Sequence, residues 1–157
     1  MKPTRREALV TIAAIAAPAA QAQAAFLTAP ELAFLTALAD TIIPRTDTAG
    51  ASDAGVPAFI DRRLAAAPEL AERFRAGMKA LDDESRGKFG APFTALAEGK
   101  RIELLTAHQE DAFFRLAKGL TIDGYYSSRE GLGGELGWHG NTFLTEFKGC
   151  THPEHQS

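Results

Sequence analysis

The clearest helix signal in the chain is the segment Thr28-Ala-Pro-Glu-Leu-Ala-Phe-Leu-Thr-Ala-Leu-Ala-Asp-Thr-Ile-Ile-Pro44. Thr28 and Glu31 have the spacing of a capping box, and Pro30 is tolerated in the first turn of a helix. Apolar residues then recur every three or four positions, which is the period of one helix face. Because Pro44 cannot continue a helix, the sequence predicts an amphipathic helix that stops at this proline.

Further segments downstream carry the same helical period. One helix is predicted from near Pro57 to just before Pro68, and another over about residues 69–85. Residues 86–93 are predicted to form an extended connector, and a helix or helix pair interrupted at His108 follows. No useful stretch alternates with period two. The predicted fold is therefore mostly α, with residues 25–123 forming a small bundle of four to five helices.

The first 24 residues have the organisation of a bacterial export signal. Arg5 and Arg6 precede an Ala-rich apolar run with Leu9 near its start, and small residues continue to Ala24. This order resembles the twin-arginine consensus, and an ordinary secretory signal with two adjacent arginines is the alternative. The apolar run is shorter than the roughly 20 residues that span a bilayer. Cleavage is predicted after Ala22 or Ala24.

The twin-arginine route carries folded proteins, so a periplasmic location is expected, with a bound cofactor or a partner that holds one. The whole chain has a net charge of −3, and removal of the basic signal makes the remainder more acidic. An acidic chain without a basic block argues against nucleic acid or an anionic membrane surface as a partner. No second long apolar segment is present, so no membrane span is predicted.

Residues 124–157 differ in composition from the predicted bundle. They are rich in glycine and contain both tyrosines, the only tryptophan and the only cysteine, Cys150. Such a stretch cannot build a regular core, yet its aromatic side chains need burial. It is therefore predicted to be an irregular tail that packs at least partly on another subunit. The alternative is a tail folded back over its own bundle.

Several motifs together resemble the gluconate 2-dehydrogenase subunit 3 family. The motifs are Leu38-Ala-Asp-Thr-Ile-Ile-Pro-Arg-Thr-Asp-Thr48, Asp53-Ala-Gly-Val-Pro57, Gly124-Tyr-Tyr-Ser-Ser-Arg-Glu-Gly131, Glu135-Leu-Gly-Trp-His-Gly-Asn141 and Gly149-Cys-Thr-His-Pro-Glu-His155. The resemblance covers essentially the whole chain. It implies a non-catalytic small subunit of a periplasmic sugar or sugar-acid dehydrogenase complex. In such complexes a large subunit holds FAD and oxidises the substrate, and a membrane-bound cytochrome c subunit usually accepts the electrons.

The resemblance also implies that the small subunit supplies the export signal for the large one. The predicted signal residues are Arg5, Arg6 and Leu9. The candidates for contact with the partner are Arg45, Tyr125, Tyr126, Leu136, Trp138, Phe143, Phe147, His152 and His155. No catalytic, cofactor-binding or metal-binding residue is predicted, because the acidic pairs resemble solvated helix faces and no nucleophile or dinucleotide motif has its required context.

Cys150 is expected to form a disulfide with the partner subunit, because an odd cysteine in an oxidising compartment favours an intermolecular bond. A free thiol, or a bond to a small thiol, is the alternative. Together with His152 and His155, Cys150 also suggests a second hypothesis, a free-standing periplasmic metal-binding protein. A third hypothesis, an enzyme in its own right, has no coherent site to support it.

Overall fold

A computed structural model describes residues 25–138 and residue 140 of the chain. Within these residues there are α-helices and turns but no β-strand, which confirms the predicted mostly α fold. The five α-helices of this part are α1 (Ala29–Ile42), α2 (Val56–Ala65), α3 (Pro68–Phe89), α4 (Glu98–Ala107) and α5 (Ala112–Tyr126). A 3-10 turn lies at Phe93–Ala95 and a π-helical turn at Glu130–Glu135.

Helix α1 begins as the capping-box spacing predicts. The backbone nitrogen and the hydroxyl of Thr28 both donate to Glu31 Oε2, each at 2.8 Å. The other oxygen of Glu31 accepts from Arg75 Nε at 2.8 Å, which joins the start of α1 to α3. Partial burial favours the neutral carboxyl, but the hydrogen bonds from Thr28 and Arg75 prevail and lower the pKa of Glu31. One residue therefore caps its own helix and anchors it to a neighbour.

The hydrophobic core lies between α1, α2, α3 and α5, and α5 packs against each of the other three. Its largest fully buried apolar side chains come from every part of the bundle: Leu35, Leu38, Val56, Ile60, Leu64, Phe74, Phe93, Leu104 and Tyr125. Two aromatic pairs cross between elements. Phe34 lies 4.9 Å from Phe93, and Phe74 meets Phe113 edge to face at 5.3 Å between ring centroids.

Helices α3 and α5 approach each other closely at Gly77. A Cβ atom placed on Gly77 would overlap the ring of Phe113. Glycine is unfavourable in the middle of a helix by roughly 0.5–1 kcal/mol relative to alanine, so its presence here is explained by the missing side chain. The absent methyl group lets the Phe113 ring reach Phe74 across the helix pair.

Helix α3 is longer than predicted and runs four residues into the expected connector. Lys79 pairs with Asp83 and Arg86 with Asp82 at the i,i+4 spacing that stabilises a helix surface. The helix ends only at Gly90, whose φ of 73° is the left-handed conformation that glycine adopts without strain. The prediction of an extended segment over residues 86–93 was wrong for residues 86–89, because these polar side chains support the helix from its exposed face.

The boundary predicted at residue 124 is also too early. Helix α5 continues through Tyr126, and the π-helical turn adds a further stretch of regular backbone. The helix continues because Tyr125 belongs to the core, on the same face as Ala117 and Thr121. The described part of the predicted tail is therefore ordered against the bundle as far as this turn.

His108 joins three helices at the end of α4. Its Nδ1 lies 2.6 Å from Asp111 Oδ2, just before α5, and its Nε2 lies 2.8 Å from Glu84 Oε2 on α3. The hydrogen bond with Asp111 raises the pKa of His108, partial burial opposes this rise, and the Glu84 carboxylate reinforces it. The charged imidazolium is the form that this pair of carboxylates favours.

Replacing Gly77 with alanine should destabilise the bundle by about 1–3 kcal/mol, the usual cost of overpacking a core contact. The new methyl group would force the Phe113 ring away from Phe74. Gly87, on the same helix, is a matched control because a Cβ there meets nothing within 4 Å. Gly87→Ala should stabilise by about 0.5–1 kcal/mol. Urea unfolding measures the free energy of unfolding of both variants. If that free energy changed in the same direction in both, the result would contradict the packing argument.

The His108 link should make stability depend on pH. The folded-state pKa is raised, so its stabilisation is fully present below the unfolded pKa of about 6.5. It is lost as the pH rises through the folded value. The free energy of unfolding should therefore fall more steeply above about pH 6.5 in the wild type than in His108→Gln. Urea titrations at several pH values measure this, and identical slopes for the two proteins would exclude the link.

Candidate partner interface

The last turn of α5 places its two tyrosines in different surroundings. Tyr125 is fully buried, and its hydroxyl donates to the carbonyl oxygen of Ala49 at 2.7 Å. Tyr126 is partly exposed, and its hydroxyl donates to Glu135 Oε1 at 2.9 Å. Their rings meet edge to face, with centroids 5.2 Å apart. Neighbouring side chains on a helix point about 100° apart, so Tyr125 points into the core while Tyr126 lies at the surface.

The loop between α1 and α2, residues 43–55, is held by two aspartates. Asp53 accepts from the amide of Gly50 at 2.9 Å and pairs with Arg45. The Gly50 amide is the main cause of the lowered pKa of Asp53, and Arg45 adds to it. Asp40, at the end of α1, accepts from the amide of Ser52 at 2.8 Å. The loop is therefore held in place by contacts within its own chain.

The backbone of the loop also passes close to itself at Gly50 and Arg45. A Cβ on Gly50 would lie 2.8 Å from the nitrogen of Arg45, so only glycine fits at this crossing. The amide of Ala51 donates to Ile43 O at 2.9 Å, and Val56 N donates to Ala51 O at 3.0 Å. These bonds place Ala49 where it accepts the hydrogen bond from Tyr125.

The π-helical turn after α5 folds back on the same tyrosine. The hydroxyl of Ser128 donates to Tyr125 O at 2.6 Å and accepts from the amide of Gly131 at 3.0 Å. Gly131 packs so tightly on the Tyr125 carbonyl that a Cβ would overlap it. Burial raises the pKa of the Tyr125 phenol, and the Glu135 and Asp53 carboxylates raise it further. Carboxylates from the turn and from the loop thus face one phenol.

Exposed apolar side chains lie at the end of this turn. Leu136 is 60% exposed and Trp138 is 50% exposed, and Ile122 is exposed on the surface of α5. The amide of Trp138 donates to Leu132 O at 2.8 Å, which fixes the backbone that carries the indole. Single exposed apolar residues are ordinary, but tryptophan is a residue type enriched at protein interfaces.

The residues predicted for the export signal, the disulfide and the partner interface divide into three groups. Arg45, Tyr126, Leu136 and Trp138 are accessible, and all are attached to the framework around Tyr125. Tyr125 itself was wrongly predicted as a contact residue, because its side chain fills the core of its own subunit. The remaining predicted residues lie outside the described residues: Arg5, Arg6, Leu9, Phe143, Phe147, Cys150, His152 and His155.

The helical period could have identified Tyr125 as a core residue. Ala117, Thr121 and Tyr125 follow one another at intervals of four, and all three are buried. Sequence reasoning also missed Asp53. The signal for Asp53 was its position three residues after Gly50, because an aspartate can accept a hydrogen bond from a backbone amide three residues earlier.

The acidic clusters of the described chain make structural contacts. Asp82 accepts from Phe93 N at 2.8 Å and pairs with Arg86. Glu84 and Asp111 both contact His108. Among residues 25–138 and 140, no group of three or more His, Cys, Asp or Glu side chains is arranged to hold a metal ion.

The family model of gluconate 2-dehydrogenase subunit 3 matches residues 29–143, from the first residue of α1 to beyond the π-helical turn. The chain belongs to this family. It is thus a small subunit of a dehydrogenase complex. No curated protein and no solved structure matches the chain. The family match covers both the 43–55 loop and the turn after α5, the two segments that Tyr125 joins.

None of the helices described in this family member is both long enough and apolar enough to cross a membrane.

Removal of the Tyr125 hydroxyl tests whether it organises the loop. Tyr125→Phe should lower the free energy of unfolding by about 1 kcal/mol, the usual contribution of one hydrogen bond. It should also speed amide exchange at Ala51 and Val56. Tyr126→Phe is the matched control, and its change should stay within about 0.5 kcal/mol because its hydroxyl is at the surface. Loop amides that exchange equally fast in both variants would contradict this role.

Proposed function

We propose that the chain is the non-catalytic small subunit of a periplasmic FAD-dependent dehydrogenase complex that oxidises a sugar, sugar acid or polyol. It acts as the twin-arginine export escort of the large flavoprotein subunit and stabilises that subunit after export. The observation that carries this proposal is the family match over residues 29–143. The basic pair Arg5-Arg6, ahead of an Ala-rich run, supports the export role.

The escort role follows from where the cofactor is loaded. FAD is inserted in the cytoplasm, so the flavoprotein must cross the membrane already folded. A flavoprotein without its own signal can cross only when bound to a chain that has one. Binding before export requires a surface that is formed without the partner. The 43–55 loop meets this requirement, because Asp40 and Asp53 hold it through contacts within the chain.

The proposed docking surface comprises Tyr126, Leu136 and Trp138, with Arg45 on the adjoining loop. Tryptophan, tyrosine and arginine are the residue types that most often dominate binding energy at protein interfaces. The Arg45 side chain is 70% exposed although it pairs with Asp53, so its guanidinium can also reach a partner. Tyr126 is oriented by Glu135. A surface with oriented side chains loses less conformational entropy on binding.

The catalytic chemistry is assigned to the partner. The acidic side chains of Asp82, Glu84 and Asp111 are used in contacts between helices. The described residues supply a scaffold, and the proposed FAD and substrate sites lie in the large subunit. The electron acceptor in the proposed complex is a membrane-bound cytochrome c subunit.

Cys150 is proposed to form a disulfide with a cysteine of the large subunit. Two thiols would lose two electrons and two protons to the disulfide-forming oxidant of the periplasm. Denaturing gels of the purified complex would show one large band without reductant and two bands with it. A complex that gives two bands in both cases would retain the escort role and exclude the bridge.

Docking and export can be separated by two sets of variants in cells that make both subunits. Leu136→Ser with Trp138→Ala should weaken binding at least tenfold. The small subunit would then reach the periplasm while the flavoprotein stays in the cytoplasm. Arg5→Lys with Arg6→Lys should keep both the small subunit and the flavoprotein in the cytoplasm. Ile102→Ser is the control, because Ile102 is an exposed apolar residue on α4, away from the docking surface.

The readout is the amount of each subunit, and of bound FAD, in periplasmic and cytoplasmic fractions. Export of the flavoprotein with the arginine variants would contradict the escort role. Recovery of the wild-type chain as a lone monomer with stoichiometric metal would replace the proposal with the metal-binding hypothesis.

A further inference from the structure

The carboxylate of Asp61 on α2 holds the beginning of the described chain. Only 8% of Asp61 is exposed. Its two oxygens accept from the backbone amides of Phe26 at 3.0 Å and Leu27 at 2.7 Å. A buried carboxylate is costly unless hydrogen bonds or an opposite charge compensate it. Here the compensation comes from the two residues that precede the cap of α1.

The same segment is fixed from its other side by α3. The carbonyl oxygen of Phe26 accepts from Arg75 Nη2 at 3.3 Å, and the guanidinium lies 4.4 Å from the Phe26 ring centroid. Leu27 is buried in the core. Residues 26 and 27 are therefore clamped between two helices.

Ala25 is the next residue toward the N-terminus, and it is exposed. Together with Asp61 it lines a solvent-open groove of about 950 Å³ between α1 and α2. Consecutive Cα atoms are about 3.8 Å apart. The nitrogen of Ala25 is therefore within one residue of an amide that already contacts the carboxylate. In the uncleaved chain this nitrogen is a neutral peptide amide.

We propose that the precursor is cleaved between Ala24 and Ala25, and that the new α-ammonium group of Ala25 forms an ion pair with Asp61. This inference rests on the proposed export. In the reaction, water hydrolyses the peptide bond, Ala24 leaves with the carboxylate, and the nitrogen of Ala25 takes up a proton. Removal of the signal thereby adds a stabilising charge pair to the folded subunit.

The position of Asp61 selects this cut over the alternative after Ala22. A chain beginning at Gln23 would place its ammonium two residues farther away, up to about 7 Å of extended chain. Opposite charges influence one another strongly only within about 4–6 Å. Cleavage after Ala24 therefore gives the new charge a partner.

The surrounding charges leave Asp61 as the partner of the new ammonium. Glu31 is held by Thr28 and Arg75. Arg75 is directed to Glu31 and to the Phe26 carbonyl. Arg62 lines the same groove and opposes the ammonium, but it is exposed and solvent screens it.

The test compares purified chains that begin at Ala19, Gln23 or Ala25, each released from a fusion by a protease that leaves no extra residue. At pH 6.5 the chain from Ala25 should melt about 4 °C higher than the chain from Ala19. The chain from Gln23 should resemble the longer one. In the Asp61→Asn background the difference should vanish, since asparagine carries no charge.

The pH dependence gives a second measurement that needs no variant. The α-amino pKa is about 7.7–8.0 in an unfolded chain, and a neighbouring carboxylate raises it in the folded one. The added stability should be complete below about pH 7.5 and lost as the pH rises past the folded value. Equal melting temperatures for the Ala19 and Ala25 chains at pH 6.5, or a difference that survives in Asp61→Asn, would overturn the ion pair.

The cleavage position is tested by mass spectrometry of the chain recovered from the periplasm. A mature terminus at Ala25 is expected, and a terminus at Gln23 would overturn the assigned cut. Failure of export would contradict the proposed function, whereas the melting comparison uses purified protein and is unaffected by it. The two failures are therefore distinguishable.

Discussion

The hydrogen bond from Tyr125 to the carbonyl oxygen of Ala49 joins two parts of the chain that lie 76 residues apart. The phenol is fully buried, so its hydroxyl needs an acceptor inside the protein. That need fixes the 43–55 loop against the end of α5. The backbone carbonyl of the same residue accepts from Ser128, which starts the following turn. A single residue therefore sets the mutual position of the loop, the last helix and the turn that carries Leu136.

This arrangement explains how a small bundle can present a defined surface without a ligand. Asp53 and Asp40 accept hydrogen bonds from the loop amides of Gly50 and Ser52. Gly50 and Gly131 allow backbone contacts that any larger residue would prevent. The exposed side chains beyond these points are thus attached to a fixed backbone.

The sequence was sufficient to predict the helices. It was insufficient to predict where α3 and α5 end and what the residues at those ends contact. Thr28 and Glu31 predicted the start of α1, because capping depends on residues three positions apart. The end of α3 was missed because Phe89 packs against the core, a contact that the turn-like composition of residues 86–93 did not indicate. Tyr125 was misassigned because glycine-rich surroundings suggested a tail, whereas its burial depends on a carbonyl from a distant loop. A contact between residues far apart in the chain produces no local sequence pattern from which it could be predicted.

His108 has a consequence for the conditions in which the subunit works. Oxidation of the proposed sugar, sugar acid or polyol removes two electrons and two protons from the substrate, and electron transfer to the proposed cytochrome leaves the protons in the medium. The imidazole lies between Glu84 and Asp111, on segments belonging to different helices. Acidification of the medium strengthens that bridge by charging its central group. Protons released during turnover would therefore favour the folded bundle of this subunit over its unfolded chain, until the medium reaches about pH 6.5.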